Sequence, residues 1–600
     1  MRTAFFALVL LSPAALGAPP APATPGEARA FIQKVNQDLK ALTIKQSTAD
    51  WIKNTYITED TERASAWAND DLLAARGEFL EQAKRFDGVV LDPDTARMIR
   101  LLRVNNSVLA PADPTHRAEL TSILARMDGI YGAGKDCGPD GKGKCRDLEA
   151  LEKVLNRSRD PKALLDAWTG WHAVGRQIRP LYERFVVLAN EGARDNGFAD
   201  VGALWRSAYD MTPEEFERET ERIWAQVEPL YGDLHCYVRA GLQRKYGKTL
   251  VPDGKPIPAH LLGNMWAQEW TNIFPLVEPF PGVSSLDVTH QLEARKWDAI
   301  RMVRLGESFY TGLGLDPLPA TFWTRSQFTK PRDREVVCHA SAWDVTYSSD
   351  LRIKMCIRPE EEDLITIHHE LGHNYYQHAY VNQPFLYMDA AIDGFHEAVG
   401  DALALSVTPG YLVKAGLLDR VPPANQKALI NGQMKSALEK VAFLPFSKSI
   451  DQWRWQLFAG KVTPASYQSS WWALREKAQG VAPPVPRTEA DFDPGAKFHV
   501  PANVPYTRYF LARVLQFQFY RALCKAAGHT GPLHSCTFAG SKEAGRRLQA
   551  MLALGASKPW PDALEALTGE RRIDAGAMLE YFAPLTSWLR EQNQGRTCGW

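Results

Sequence analysis

The chain has 600 residues and equal numbers of basic and acidic side chains, 70 of each, so its formal charge is zero. That balance gives no argument for nucleic acid or an anionic membrane surface as a partner. A 45% hydrophobic fraction and 18 tryptophans allow a large core, and no linker, low-complexity tract or internal repeat divides the chain after its N-terminus. One unit over residues 18–600 is therefore expected, although length alone would suggest about four domains.

Residues 1–17 carry Arg2, a largely apolar run, and small residues at Ala15 and Gly17. This reads as a signal peptide, too short to span a bilayer. No apolar stretch near the C-terminus could serve as an anchor, so the expectation is a soluble exported protein, secreted or periplasmic. Eight cysteines suit such a compartment. Three close pairs suggest bridges: Cys137 with Cys145, Cys338 with Cys356, and Cys524 with Cys536. Cys236 and Cys598 are left over, either as two free thiols or as a fourth bond. Asn105 and Asn156 lie in sequons, which matter only in a eukaryotic host.

Thr24-Pro25-Gly26-Glu27 predicts a capping box with Pro at the first helical position, and Phe31, Val35, Leu39 and Leu42 follow at helical spacing. The segments 50–86 and 92–127 are helical in pattern and strongly charged, as a solvated helical face would be. From 147 to 274 the pattern stays mostly helical. This span holds LWRSAYD with Arg206, LQRKYG with Tyr246, and IPAHLLGNMWAQEW with Gln268. Taken alone, Arg206 reads as an ion-pair residue and Gln268 as a core hydrogen bond. REVVCHASAWDVTYSSDLRIKMCI, residues 334–357, gives the strongest β signal, with alternating apolar residues around a Tyr-Ser-Ser-Asp turn. It includes His339 and Ala340, and its edge could pair with an extended peptide.

Residues 365–406 carry the chemistry. His369-Glu370-Leu371-Gly372-His373 is an HExxH sequence, and four-residue spacing puts both imidazoles on one helical face. A catalytic zinc takes three protein ligands and keeps one position for water. GFHEAVGD, opened by Gly394, predicts a second helix with Glu397 as third ligand. Asp401, one turn on, can accept the free N–H of a ligand histidine. HExxH alone occurs by chance, but a Glu–Asp pair on the apolar stripe of Phe395, Ala398, Val399, Ala402 and Leu403 is costly without a partner. His368, His378 and His396 point elsewhere on their helices and read as structural. From 411 to 479 the chain is mostly helical, with Phe443, Phe446, Trp453 and Trp455 as core or pocket walls. In residues 495–523, Lys497, His499, Tyr506, Arg508 and Tyr509 cluster around two prolines ahead of an apolar helix. Such a polar group suits a site that binds an anion.

HHELGH, GFHEAVGD and LALS resemble the angiotensin-converting enzyme family of zinc peptidyl-dipeptidases, and the likeness extends along the chain. It implies a mostly helical, two-lobed fold around a deep cleft, a small β-hairpin near the zinc site, and an N-terminal helical lid over about residues 26–127. The family's three disulfides are placed like the three close pairs. The resemblance assigns Gln268, Lys497 and Tyr506 to the substrate's terminal carboxylate, His339 and the Ala340 backbone to substrate contact, and His499 and Tyr509 to the reacting carbonyl. It also implies chloride, held by Arg206, Trp471 and Arg475 at one site and by Arg508 with Tyr246 at another. The chain departs from the family at Ala208, where a Trp is common, and at Arg513, where an aromatic is common. The latter bears on the pocket for residues after the cut.

These residues imply hydrolysis in which Glu370 takes a proton from water activated by one Zn2+ and passes it to the leaving amine. An extended residue spans about 3.3–3.6 Å. A carboxylate grip two residues beyond the ion therefore releases a C-terminal dipeptide, and a narrow cleft admits short peptides with a free C-terminus. Two rivals are a single-residue carboxypeptidase of the same family, which would carry an Arg at the position of Gln268, and a secreted binding protein that kept the fold without chemistry.

Overall fold

Thr24 caps the first helix as the sequence predicts: its hydroxyl accepts the Glu27 N–H at 3.2 Å and its own N–H reaches Glu27 Oε2 at 2.8 Å, with Pro25 in the first turn. A computed structural model describes residues 23–138, 143–283 and 287–600; the expected signal peptide lies outside them. Helix α1 (Pro25–Thr55) is followed by α2 (Glu59–Ala83) and α3 (Pro93–Val104). The chain breaks at Tyr56, and Thr58 caps α2. Ala28, Ile32, Val35 and Leu39 of α1 bury against Leu72, Phe79, Ile99 and Leu102 in a small core of their own.

These helices meet the rest of the molecule at several places: α3 sends Arg97 and Arg100 to Asp210, and α1 contributes further contacts. Asn36 accepts the Leu386 N–H at 2.8 Å. At the other end of α1, Trp51 meets Trp343 edge-on at 5.7 Å and carries Arg352 over its face at 4.9 Å. Trp343 and Arg352 pair across an antiparallel hairpin, β1 (Ser341–Asp344) with β2 (Leu351–Lys354). The strands are shorter than the alternating pattern suggested. The Asp344 carboxylate closes their turn by accepting the N–H groups of Ser349 and Asp350, both at 3.0 Å.

Most of the remaining secondary structure is helix, packed around one continuous apolar cluster that runs from Leu109 to Leu589. Residues 257–273 are an exception to the helical expectation. Pro252, Pro256 and Pro258 deny the backbone donors a helix needs, Ile257 pairs instead with Val481, and Ala267 takes a positive φ of 50°. Gln268 therefore sits on an irregular segment.

Three helices build the centre: α4 (Glu361–Ala379), α5 (Gly394–Ala404) and α6 (Thr507–Ala526). Glycines let the first two cross closely. A Cβ on Gly400 would fall 2.8 Å from His369 Nδ1, and one on Gly372 would fall 3.0 Å from the Gly400 Cα. All eight cysteines are paired: Cys137–Cys145, Cys338–Cys356, Cys524–Cys536 and Cys236–Cys598. The fourth bond settles the open alternative and ties the chain's end to the helix Pro213–Tyr246.

Candidate metal centre and carboxylate pocket

His369 and His373 on α4 and Glu397 on α5 bring their ligand atoms within 4.8 Å of one another. The two Nε2 atoms are 3.0 Å apart, and His369 Nε2 is 3.7 Å from Glu397 Oε2. Tetrahedral bonds of about 2.0–2.1 Å would separate ligand atoms by about 3.3–3.4 Å, so two imidazoles and a carboxylate in this arrangement fit zinc. Asp401 Oδ1 lies 3.1 Å from His369 Nδ1, which leaves Nε2 as the free lone pair.

His396 does not point away from the site as expected. Its Nδ1 is 3.3 Å from His373 Nδ1, and its Nε2 is 3.2 Å from the Tyr380 hydroxyl. It follows Gly394 by two residues, so α5 presents it to α4 beside Glu397. His368 and His378 are structural, bonded to Tyr411 and Ser349 respectively.

Glu370 is buried between the two helices and the hairpin, and burial, reinforced by Glu397, pushes its carboxyl up to about 7 despite His369 and Lys354. Asn374 donates to the carbonyls of Trp343 and Arg352, both at 3.2 Å, fixing the hairpin beside the metal ligands. His339 and Ala340 stand at the entry to β1, where His339 Nδ1 is 2.9 Å from the Ala340 carbonyl.

Gln268, Lys497 and Tyr506 converge as a second cluster. Lys497 Nζ donates to Gln268 Oε1 at 2.7 Å and the Tyr506 hydroxyl donates to the same atom at 3.3 Å. Lys497 lies 3.9 Å over the Trp266 ring, and burial pushes its ammonium down to about 7. His499, Tyr506 and Tyr509 form one aromatic group, with ring centroids 4.6 Å and 4.9 Å apart for the pairs that Tyr506 makes. Burial, with the cations Lys497, Arg454 and Arg508, pushes His499 down to about 3, so it is a neutral donor. Its buried Nδ1 finds no partner among the described residues.

What holds this group in place escaped the sequence reading. Asp451 Oδ2 accepts the backbone N–H groups of Tyr506 and Thr507, each at 2.7 Å, and so caps α6 from a distant helix. The fully buried Arg454 pairs with Asp451 and donates to the carbonyls of His499 at 2.9 Å and Val504 at 2.7 Å.

The two chloride groupings are not assembled as expected. Arg206 is used by Glu217 at 3.1 Å and lies over Trp455 at 5.2 Å, sharing no partner with Arg475 among the described residues. Arg475 sits in an aromatic box, 4.8 Å from Phe446, 5.2 Å from Trp471 and 5.4 Å from Trp472. The small cavity beside it is lined by His172, Trp168, Trp471 and Lys497 rather than by Arg206; the Trp-rich WTGWH around His172 was the available signal. Arg508 pairs with Asp393 at 3.1 Å, not with Tyr246, and the Tyr209 hydroxyl donates to Asp393 Oδ1 at 3.1 Å. Tyr246 ends the helix Pro213–Tyr246, near Arg159. In both cases a carboxylate from another element pairs with the arginine, which a reading of single segments could not see.

A family model described as Angiotensin-converting enzyme matches residues 23–600. Angiotensin-converting enzyme of Rattus norvegicus is 46% identical over 585 residues, covering 96% of this chain and 44% of its own length. That of Bos taurus is 45% identical, covering 96% of this chain and 45% of its own length. That of Theromyzon tessulatum is 40% identical, covering 96% of this chain and 94% of its own length. The chain thus spans less than half the length of these mammalian relatives and nearly all of the third.

Proposed function

The chain belongs to the angiotensin-converting enzyme family, and from that premise we propose that it is a zinc peptidyl-dipeptidase releasing C-terminal dipeptides from short peptides. The observation that carries this reading is the coexistence of two built clusters: His369, His373 and Glu397 on one side, and Gln268, Lys497 and Tyr506 on the other.

His369 Nε2, His373 Nε2 and the Glu397 carboxylate would hold the zinc. When bound, zinc supplies Lewis acidity, which brings the pKa of water from about 16 to about 7 and polarises a carbonyl. Glu370 takes the water's proton on its carboxylate and hands it to the departing amine; burial raises its carboxyl above the usual carboxylate range, which favours its acting as the proton carrier. The Tyr509 hydroxyl and a His499 N–H are the donors for the carbonyl oxygen as charge grows there. Lys497 meets the peptide's terminal carboxylate with charge, while Gln268 and Tyr506 orient it. Holding that carboxylate selects the bond before the last two residues, since each extended residue spans only about 3.3–3.6 Å. His339 and the Ala340 backbone line the strand edge along which the peptide would lie.

Helices α1–α3 act as a lid over the cleft between two lobes. What supports this is their separate core and their contacts with the hairpin and with Leu386. Four disulfides support an exported protein, and among the described residues no helix is long and apolar enough to cross a membrane. The Arg475 box is the better candidate for a chloride ion, because Arg508 already has Asp393.

Mass spectrometry of an N-blocked tripeptide after incubation with the zinc-loaded protein tests the reading. A released dipeptide is expected. Release of a single amino acid, or no cleavage by protein of full zinc content, would refute it.

A further inference from the structure

Arg513 stands where the resemblance leads one to expect an aromatic side chain, and the structure gives it a definite seat. It lies four residues after Tyr509, on the same face of α6. Its Nη1 donates to Asp401 Oδ2 at 2.6 Å, while the other oxygen of Asp401 faces His369. The guanidinium lies over the Phe443 ring at 5.9 Å, and Phe443 packs 5.8 Å from Tyr506 of the carboxylate cluster. Arg513 therefore sits between the metal centre and the carboxylate pocket, on the aromatic wall of the latter. On the peptidyl-dipeptidase reading, a peptide that bridges the two would bring its last residue past Arg513.

The fork is not used up there. A guanidinium has five N–H donors, and among the described residues only Asp401 takes one within hydrogen-bond distance. Glu439 stands 3.6 Å from Nη2, and the Arg513 side chain keeps 26% of its surface exposed. Lys440, 4.0 Å from Asp401 and 3.4 Å from Glu439, supplies a second cation to the two carboxylates. The two cations thus offset Asp401 and Glu439, with Glu397 of the metal centre the next carboxylate near Arg513.

We propose that Arg513 is a specificity determinant that receives an acidic side chain on the peptide's C-terminal residue, so that preferred substrates end in Glu or Asp. This rests on the peptidyl-dipeptidase reading and sharpens it. The Asp401 pair and Phe443 hold the planar fork still, so little rotamer freedom remains to be lost when it binds a carboxylate. An apolar last residue would instead strip water from a charge without replacing its hydrogen bonds. A basic one would face both Arg513 and Lys440.

The test uses three N-blocked tripeptides that differ only in their last residue, Glu, Leu or Lys, with the zinc-loaded full chain. The expected kcat/KM is about tenfold higher for Glu than for Leu, with Lys lowest. R513M should remove the Glu advantage and R513K keep part of it, zinc content being measured in each. Equal rates for Glu and Leu in the parent, a preference for Lys, or an intact Glu preference in zinc-replete R513M would overturn the proposal. A second measurement needs no variant: calorimetric binding of the dipeptides Gly-Glu and Gly-Leu to the parent, with Gly-Glu expected about tenfold tighter. Equal affinities also overturn it. If no tripeptide yields a dipeptide, the peptidyl-dipeptidase reading falls, and the calorimetry still judges Arg513.

Discussion

Asp401 Oδ1 lies 3.1 Å from Nδ1 of His369, and its other oxygen is held by Arg513 at 2.6 Å. The carboxylate thus has one side for the metal ligand and one for an arginine, and neither can turn without the other. Asp401→Ala removes the group that fixes the imidazole's tautomer. Zinc affinity, measured by competition with a chelator, is expected to fall about 10–100-fold. Unchanged affinity would show that the packing of α4 on α5 alone orients His369.

Asp451 caps α6 and is itself held by a buried arginine. Asp451→Ala leaves the Arg454 guanidinium uncompensated in the core and two N–H groups without an acceptor, a loss of about 3–5 kcal/mol. A clear fall in thermal midpoint should accompany loss of turnover, because Tyr506 and Tyr509 depend on the start of that helix. A variant as heat-stable and active as the parent would rule out the bracing role.

Lys497 is pushed down to about 7 by burial, so the free enzyme holds its charge below that pH and sheds it above. For peptides with a free carboxylate, kcat/KM should therefore decline as pH rises past about 7, through KM. Peptides with a C-terminal amide should lack that alkaline limb. The acid limb belongs to Glu370, which works only when deprotonated; its carboxyl is raised to about 7 by burial, and a zinc ion beside it pulls the limb lower. Lys497→Met should abolish the difference between acid and amide peptides. Parallel pH profiles for the two in the parent would undo the assignment.

Asp393 gives Arg508 a carboxylate partner at 3.1 Å and also receives the Tyr209 hydroxyl. It immediately precedes α5, which carries Glu397, while Arg508 immediately precedes Tyr509. Asp393→Ala should lower turnover about tenfold, the order of a charge-assisted contact, and chloride should restore more of the activity in the variant than it adds to the parent. Chloride titrations of both proteins decide this; an equal response would mean that the Asp393 carboxylate does not stand in for a free anion.

The sequence was legible wherever chemistry is written at helical spacing. HExxH fixes two imidazoles on one face because an α-helix turns once in about 3.6 residues, and GFHEAVGD places Glu397 and Asp401 one turn apart for the same reason. The capping box at Thr24 and the close cysteine pairs are local in the same sense. Gln268 was legible as a residue but not as a conformation, because prolines and a strained Ala267 overrode the helical pattern around it.

Spacing within one segment, or family likeness, was enough to name the candidate metal ligands, the proposed base, the residues proposed to grip a carboxylate, and the helical class. Only packing between elements assigned the partners of three arginines: Asp393 for Arg508, Glu217 for Arg206 and Asp401 for Arg513. An ion pair depends on distance through space, and for most of these that distance is set by how separate helices pack. Sequence spacing fixes geometry within one helix and says nothing about which charge a neighbouring helix will bring.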